Sequence, residues 1–434
     1  MTTLVYDIET DGLLDTVSNL WLIVIGDPAT GEVIAYSDVD DQLQPISQAM
    51  ERLTAADILV GHNVIGYDVP ALGKLGHRLS WRKHVDTVLL SRMADPTRRS
   101  HSLADWGERL GFPKGDFKDF DRYSQEMLEY ALQDVRVNLK IWEKLQPVYD
   151  SQTSAYWTEA AFYAGMSAQM QDGFPFDVQA ALEIRSVLLD EAEQVTDRMQ
   201  EVFPPRWVAD GEHVPKRTVN YKDPMRASTE AGCAYTKVKL EVFNPGSRSQ
   251  IASRFIAKYN WKPSVYTNGG SPEISEKILK DLPFAEASEF LSYLTAQKKL
   301  SQVDGFLKAE KQGRIHGYIN TIGTVTHRCT HRSPNVAQVD KDHRIRSLFT
   351  PDPGWTMVGC DASGLELRML AHYLSRWDGG AFGNSVINGS SKDGTDVHTR
   401  NQKIAGLKAR DSAKTMIYAL NDWGFTGRPV SKTV

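Results

Sequence analysis

The sequence predicts an α/β domain at its start, followed by a longer and mostly helical region. Three observations predict it. The chain has 434 residues, 41% hydrophobic and 24% charged, a globular balance at a length that suits two to four domains. Its first third alternates short apolar runs with helix-like stretches. Its charge is unevenly divided: residues 1–70 hold twelve acids and one basic residue, a net of −11, whereas the whole chain is −5. The remainder therefore carries +6, a shift between segments of different chemistry.

Taken in order, residues 4–9 and 21–25 read as strands, 43–56 as a helix and 58–60 as a further strand. Across 124–145 the apolar residues Leu128, Leu132, Val135, Leu139 and Trp142 recur at three and four, which predicts an amphipathic helix. Ser124 is its expected N-cap, with Glu126 in the first turn. Residues 155–202 read as helices interrupted at Asp172-Gly173-Phe174-Pro175. Residues 203–242 read as a loop, with Pro204, Pro205, Pro215 and Pro224. That stretch also carries Lys216, Arg217, Lys222, Arg226, Lys237 and Lys239, so a solvated loop and a contact surface for DNA or a partner stand as equal readings. Helices are expected again at 247–259 and 284–310. Residues 311–350 hold seven basic residues against two acidic ones, and 357–374 read as strand, turn and helix.

The longest apolar run, residues 20–25, is far too short to span a bilayer. The first ten residues carry two carboxylates and no basic residue, so no signal peptide is read and a cytoplasmic location is expected. Cys233, Cys329 and Cys360 are scattered, make no zinc spacing and suit a reducing compartment.

Asp7 and Glu9 are two apart on the first strand, so both leave the same face. Adjacent carboxylates repel unless a cation joins them, and oxygen-rich clusters suit Mg²⁺ or Mn²⁺. Such a pair alone is weak evidence, because strand ends often carry it. Gly61-His62-Asn63-Val64-Ile65-Gly66-Tyr67-Asp68 follows a strand and meets an expected helix start, where Asp68 can reach back to the pair. Tyr130 and Asp134 are four apart and share a face of the 124–145 helix.

The joint order, D-x-E, then N-x-x-x-Y-D, then Y-x-x-x-D, resembles the three motifs of the DEDD-type 3′–5′ exonucleases in the subclass with a tyrosine. The resemblance covers residues 1–150. It implies a ribonuclease H-like domain in which Asp7, Glu9, Asp68 and Asp134 hold two metal ions and Tyr130 orients the attacking water. Two ions can activate water and stabilise the leaving oxygen of an in-line displacement. The acidity of this segment fits that demand.

Three later stretches read GTVTHRCTHRSPNVAQV (323–339), GCDASGLELRMLAHYL (359–374) and DVHTRNQKIAGLKARDSAKTMIY (396–418). In that order they resemble family A DNA polymerases, specifically the replicative enzymes of short-tailed phages. The resemblance implies that Asp361 is a palm metal ligand and Glu366 a steric gate against a ribose 2′-hydroxyl. It also implies that His398 meets the incoming phosphates, and that Arg328, His331, Asn335 and Gln338 touch the primer–template. Arg410, Lys414 and Tyr418 are four apart, so one helix face presents all three to a triphosphate and base. Asp361 is expected at the end of a strand over 356–359. The implied organisation is an exonuclease domain at 1–150, a thumb-like helical region at 151–310 with the basic loop 203–242, a partial palm at 311–375, partial fingers at 376–420 and a divergent tail at 421–434. The implied partners are DNA primer–template, single-stranded 3′ ends and deoxynucleoside triphosphates, with no membrane.

The sequence departs from the family pattern after Tyr418. Residues 419–430 look turn-rich and are expected not to continue the helix, and no His-Asp-Glu motif carrying a second palm aspartate is present. The expectation is that this chain alone does not extend a primer efficiently: it is the N-terminal piece of a split polymerase with a complementing C-terminal chain, it is interrupted by an intron, intein or frameshift near residue 419, or it has become a nuclease only. Some relatives recruit thioredoxin through a long thumb insertion; the 203–242 segment is shorter, which speaks against thioredoxin here. Two other readings compete: a stand-alone DEDD-type nuclease, which the blocks around Asp361 and Arg410 oppose, and a non-catalytic DNA-binding subunit, which the four intact acids of the first site oppose.

Overall fold

The structure, a computed structural model, describes residues 1–225 and 227–423; the side chains of residues 418 and 420–423 also lie outside the described residues. Arg226 and the tail from residue 424 are therefore not described. The chain forms two compact units, Met1–Pro353 and Gly354 onward.

The first unit opens with a five-stranded sheet. Its strands are β1 (Thr3–Thr10), β2 (Leu20–Gly26), β3 (Val33–Tyr36), β4 (Ile58–Gly61) and β5 (His84–Asp86), in the order β3-β2-β1-β4-β5. β2 and β3 run antiparallel to their neighbours, whereas β4 pairs parallel to β1 and β5 parallel to β4. Parallel pairing requires crossovers, and α1 (Ile46–Ala55) and α2 (Asp68–Lys74) lie in the two connections. β1 is central, so Leu4, Val5, Tyr6 and Ile8 are all buried. A strand covered on both faces needs such a near-continuous apolar run.

The remaining helices of this sheet domain are α3 (Thr87–Ala94), α4 (Leu103–Arg109) and α5 (Gln125–Asp172). Ser124 caps α5 by accepting from the Met127 N–H, as expected. Met127, Ala131, Val135 and Ile141 turn one face of α5 onto the sheet core. β2 ends close beneath it: a Cβ at Gly26 would meet Val135 and Leu139 side chains at 2.9 Å. α5 is longer than the sequence periodicity indicates, because it runs on to Asp172 across a break at Gln152 (φ −129, ψ 24). It stops at Gly173, whose φ of 65° suits the expected interruption.

Beyond it, α6 (Val178–Val202) packs against the helix Ala285–Ala309 around Ala181, Leu188, Leu300 and Val303. A second core, including Phe203, Phe243, Phe255 and Phe290, joins their far ends to α7 (Arg248–Tyr259).

Between α6 and α7 the sequence predicts a loop, but the structure forms an antiparallel ribbon, Arg206–His213 paired with Tyr235–Glu241. The prolines flank the strands or lie in the connection between them, so they leave the ladder intact. A second correction concerns residues 356–359, which form no strand; Met357 and Val358 are exposed. No strand pairs with them among the described residues, and a ladder needs a partner to satisfy its backbone groups. The third concerns the end of the chain. The helix Arg410–Trp423 continues past Tyr418. Ala419 and Leu420 are strong helix formers, and no Gly or Pro occurs before Gly424.

The second unit holds that helix together with Leu365–Asp378, Ala381–Asn388 and Val397–Ile404. Leu367, Val397 and Ile417 form its small core.

Candidate active site

β1 carries Asp7 and Glu9 from its central position, and α5 carries Asp134 across the sheet to meet them. One carboxylate oxygen of each lies within 4.8 Å of the others. Asp68, at the start of α2, is buried beside this cluster, with Asp7 as its main charged neighbour and a hydrogen bond from the Ile8 backbone. Thus the expected acids converge, three as a tight group and the fourth at its edge.

Burial, then repulsion from Asp134, pushes Asp7 up to about 7. Burial, then repulsion from Asp7 and Asp134, pushes Glu9 to about 10. Burial and Asp7 also raise Asp68 far above the carboxylate range. Carboxylates held so close together in a buried site are a cation-binding arrangement. The buried Asp134 Oδ1 has no hydrogen-bond partner. An all-oxygen donor set with an orphaned carboxylate oxygen fits hard divalent ions.

Two groups that sequence reasoning missed build this site. Lys114, in the loop after α4, donates to Asp134 Oδ2 at 2.6 Å and to the Tyr130 hydroxyl. Burial lowers its basicity, but Asp134 and Tyr130 outweigh that and raise it. Tyr130, mainly through burial, is pushed up to about 12 and stays protonated. The second group is Asp86, fully buried at the end of β5. Its carboxylate accepts from the Asn63, Ile65, Val88 and Leu89 backbone N–H groups. It thereby pins the turn that leads to Asp68. Asn63 sits at φ 66° in that turn, and its Oδ1 accepts from Tyr163 at 2.7 Å. A Cβ at Gly66 would collide with both, so this position requires glycine. The G-H-N-x-x-G spacing is a sequence trace of this turn; Asp86 and Lys114 leave none, because each acts from a distant segment.

Two cavities adjoin the carboxylates. One, of about 320 Å³, is lined by Ile8, Glu9, Thr10, Gly12, Leu13, Tyr67 and Phe120. The other, of about 670 Å³, shares Lys114 and Asn63 and is lined by Arg92, Arg98, Arg99, His62 and His101, with no carboxylate among its lining. Burial, then the surrounding cations, lowers His62 to about 3 and His101 to about 4.

The basic 323–339 stretch places His331 on a short strand, Thr330–Arg332, paired with Tyr318–Asn320. Asn335 caps the following turn, and Gln338 accepts through its backbone carbonyl from Gln302 at 2.9 Å. Arg328 is exposed.

The second unit has its own cavity, of about 330 Å³. It is lined by His398, Arg410 and Lys414, together with Arg368 and Asp396, which were not anticipated. Asp396 caps the 397–404 helix and binds Arg410 at 2.8 Å. Burial would raise it, but hydrogen bonds from Thr399 and Arg410 prevail and lower it to about 2. Asp361 and Glu366 are exposed and do not line this cavity. Asp361 does not cap the 365–378 helix either; Gly364 holds that position. The side chain of Tyr418 lies outside the described residues.

Fold and site together define a nuclease-type sheet domain joined to a polymerase-like remainder. Residues 4–146 match the RNase_H superfamily and residues 220–421 match DNA polymerase family A. The chain is 30% identical to the DNA-directed DNA polymerase of Escherichia phage T7, over 96% of this chain and 75% of that one. The same figures hold for the enzyme of Enterobacteria phage T3. It also resembles DNA polymerase I of Aquifex aeolicus, at 21% identity over 94% of this chain and 65% of that one. Among solved structures, the POL domain of Pol1 from M. smegmatis, in complex with DNA primer-template and dNTP, shares the fold. The TM-score is 0.67 at 18% identity, over 96% of this chain and 67% of that one. The chain belongs to the family A DNA polymerases and carries an RNase H-like exonuclease-type domain. No described helix is long and apolar enough to cross a membrane.

Proposed function

We propose that residues 1–150 remove nucleotides from DNA 3′ ends in a Mg²⁺-dependent reaction, with Mn²⁺ as a substitute. The observation that carries this reading is the Asp7, Glu9 and Asp134 cluster with its orphaned Asp134 oxygen. Asp7, Glu9, Asp68 and Asp134 would hold two ions, which when bound supply Lewis acidity at the scissile phosphate. The remaining work belongs to the chain. The apolar cavity beside Glu9 suits a terminal base, and the acid-free cationic cavity suits the phosphates of a single strand leading to it. Tyr130 orients the attacking water from the α5 side.

On the same reading, residues 151–310 act as thumb, 311–375 as palm and 376–420 as fingers, and 421–434 form a divergent tail. Arg328, His331, Asn335 and Gln338 follow the primer–template. His398, Arg410 and Lys414, with Tyr418, receive the deoxynucleoside triphosphate, whose phosphates suit the cationic lining of the second-unit cavity. Glu366 acts as the steric gate. Asp361 is one palm carboxylate, and two-metal transfer requires a second.

The test uses the purified chain and a single strand labelled near its 3′ end. Mg²⁺-dependent release of 3′ nucleotides is expected. Asp7→Ala should lower it more than about a hundredfold, since a metal ligand contributes several kcal/mol to the transition state. An Asp7→Ala chain that digests as fast as the unaltered one would refute the assignment.

A further inference from the structure

Lys114 is built into the carboxylate site rather than hanging near it. Its loop is tied to α5 by contacts that do not involve the ammonium. Gln133 Nε2 donates to the Pro113 carbonyl at 2.8 Å. Gly115 lies against the Tyr130 ring, where a Cβ would meet Cδ2 at 3.2 Å. The Phe117 and Phe120 rings pack at 5.7 and 6.0 Å from that ring. Lys114 Nζ sits 4.4 Å from its centre while bonding to both the Tyr130 hydroxyl and Asp134 Oδ2.

The polarity of these bonds has a consequence. An ammonium only donates, so both oxygens accept from it. Asp134 is engaged through Oδ2 and keeps Oδ1 without a partner. Tyr130 accepts through its oxygen and keeps its own proton to donate, with the Asp134 carboxylate within its reach in the metal-free chain. We propose that Lys114 is a positioning residue of the exonuclease reaction and acts through Tyr130. It fixes the direction of the phenolic O–H, so that Tyr130 meets the reacting water and phosphate as a donor. This rests on the exonuclease reading above.

The experiment compares the full chain with K114M, K114R, Y130F and K114M/Y130F, in single-turnover 3′-nucleotide release with saturating Mg²⁺. K114M should slow the step at least about tenfold with less than about a threefold change in KM, and K114R should recover to within about threefold. In the Y130F background K114M should cost less than about threefold, the signature of a coupled pair. A second readout needs neither turnover nor metal. With ¹³Cζ-labelled tyrosine, the resonance missing from Y130F identifies Tyr130, and it should move in K114M. Unchanged thermal midpoints separate these effects from unfolding. Wild-type rates in K114M, an equal loss in both backgrounds, or an unmoved Tyr130 resonance would each overturn the proposal. If the unaltered chain releases no nucleotide while the resonance still moves, the contact stands and the exonuclease reading is what failed.

Discussion

Asp7 and Glu9 are the residues whose chemistry depends most on what surrounds them. Burial, with repulsion from Asp134 on Asp7 and from Asp7 and Asp134 on Glu9, lifts them to about 7 and about 10, from unperturbed values of 3.8 and 4.5. The metal-free folded chain then holds protons that the unfolded chain has released. Stability is therefore fully present below the unfolded values and is lost as pH rises toward the folded ones. Thermal unfolding in a chelator should show a midpoint that falls between pH 5 and pH 9, and the fall should shrink in Asp7→Asn/Glu9→Gln. Adding Mg²⁺ near pH 8 should restore the midpoint of the unaltered chain, because an ion bound only by the folded state stabilises it. Asp7 and Glu9 were legible in the sequence, since a period of two places them on one face. Lys114 was not, because nothing in a lone loop lysine shows that it ends between Tyr130 and Asp134.

At the scale of elements, the turn between β4 and α2 depends on a residue outside it. Asp86 takes four backbone N–H groups, two of them from this turn. Asp86→Ala strands those donors in the interior and should lower stability by at least about 2 kcal/mol. Denaturant midpoints would measure it, and exonuclease activity should fall with them as Asp68 loses its support. The N-cap of α5 offers a milder case. Ser124→Ala removes the bond to the Met127 N–H and should cost about 1 kcal/mol. The α5 cap and its apolar stripe were readable because both are local. The ribbon at 206–241 was not, because prolines beside a strand and prolines within a loop look alike until the ladder is seen.

At the scale of the whole molecule, the net charge of −5 conceals a strong division of charge along the chain. The acids are concentrated in residues 1–70, and Asp7, Glu9 and Asp68 of that segment stand at the carboxylate site, where ions would neutralise them. The bases collect at 311–350 and around the cationic cavity beside the site. Binding to primed DNA should weaken steeply with salt despite an isoelectric point near 6.1. Four or five phosphate contacts would give a log–log slope of about −4, which fluorescence anisotropy at several salt concentrations would measure. The chain passes from the first unit to the second between Pro353 and Gly354, and residues 354–362 are exposed and without helix or strand. Limited chymotrypsin digestion should cut first near Trp355 or Met357 and leave a stable N-terminal fragment.

By itself the sequence determined which residues share a face. The D-x-E pair, the Y-x-x-x-D pair and the Arg410–Lys414 spacing are consequences of helix and strand periods, which need no tertiary information. Family membership was legible for the same reason, in ordered local motifs. The tertiary structure decided what those faces meet. It drew Asp134 to Asp7 and Glu9 across the sheet, placed Lys114 and Asp86 as supports, and left Asp361 exposed, outside the cavity that His398 and Arg410 line. Burial and electrostatics depend on distances between segments far apart in the chain, and local periodicity carries no record of them.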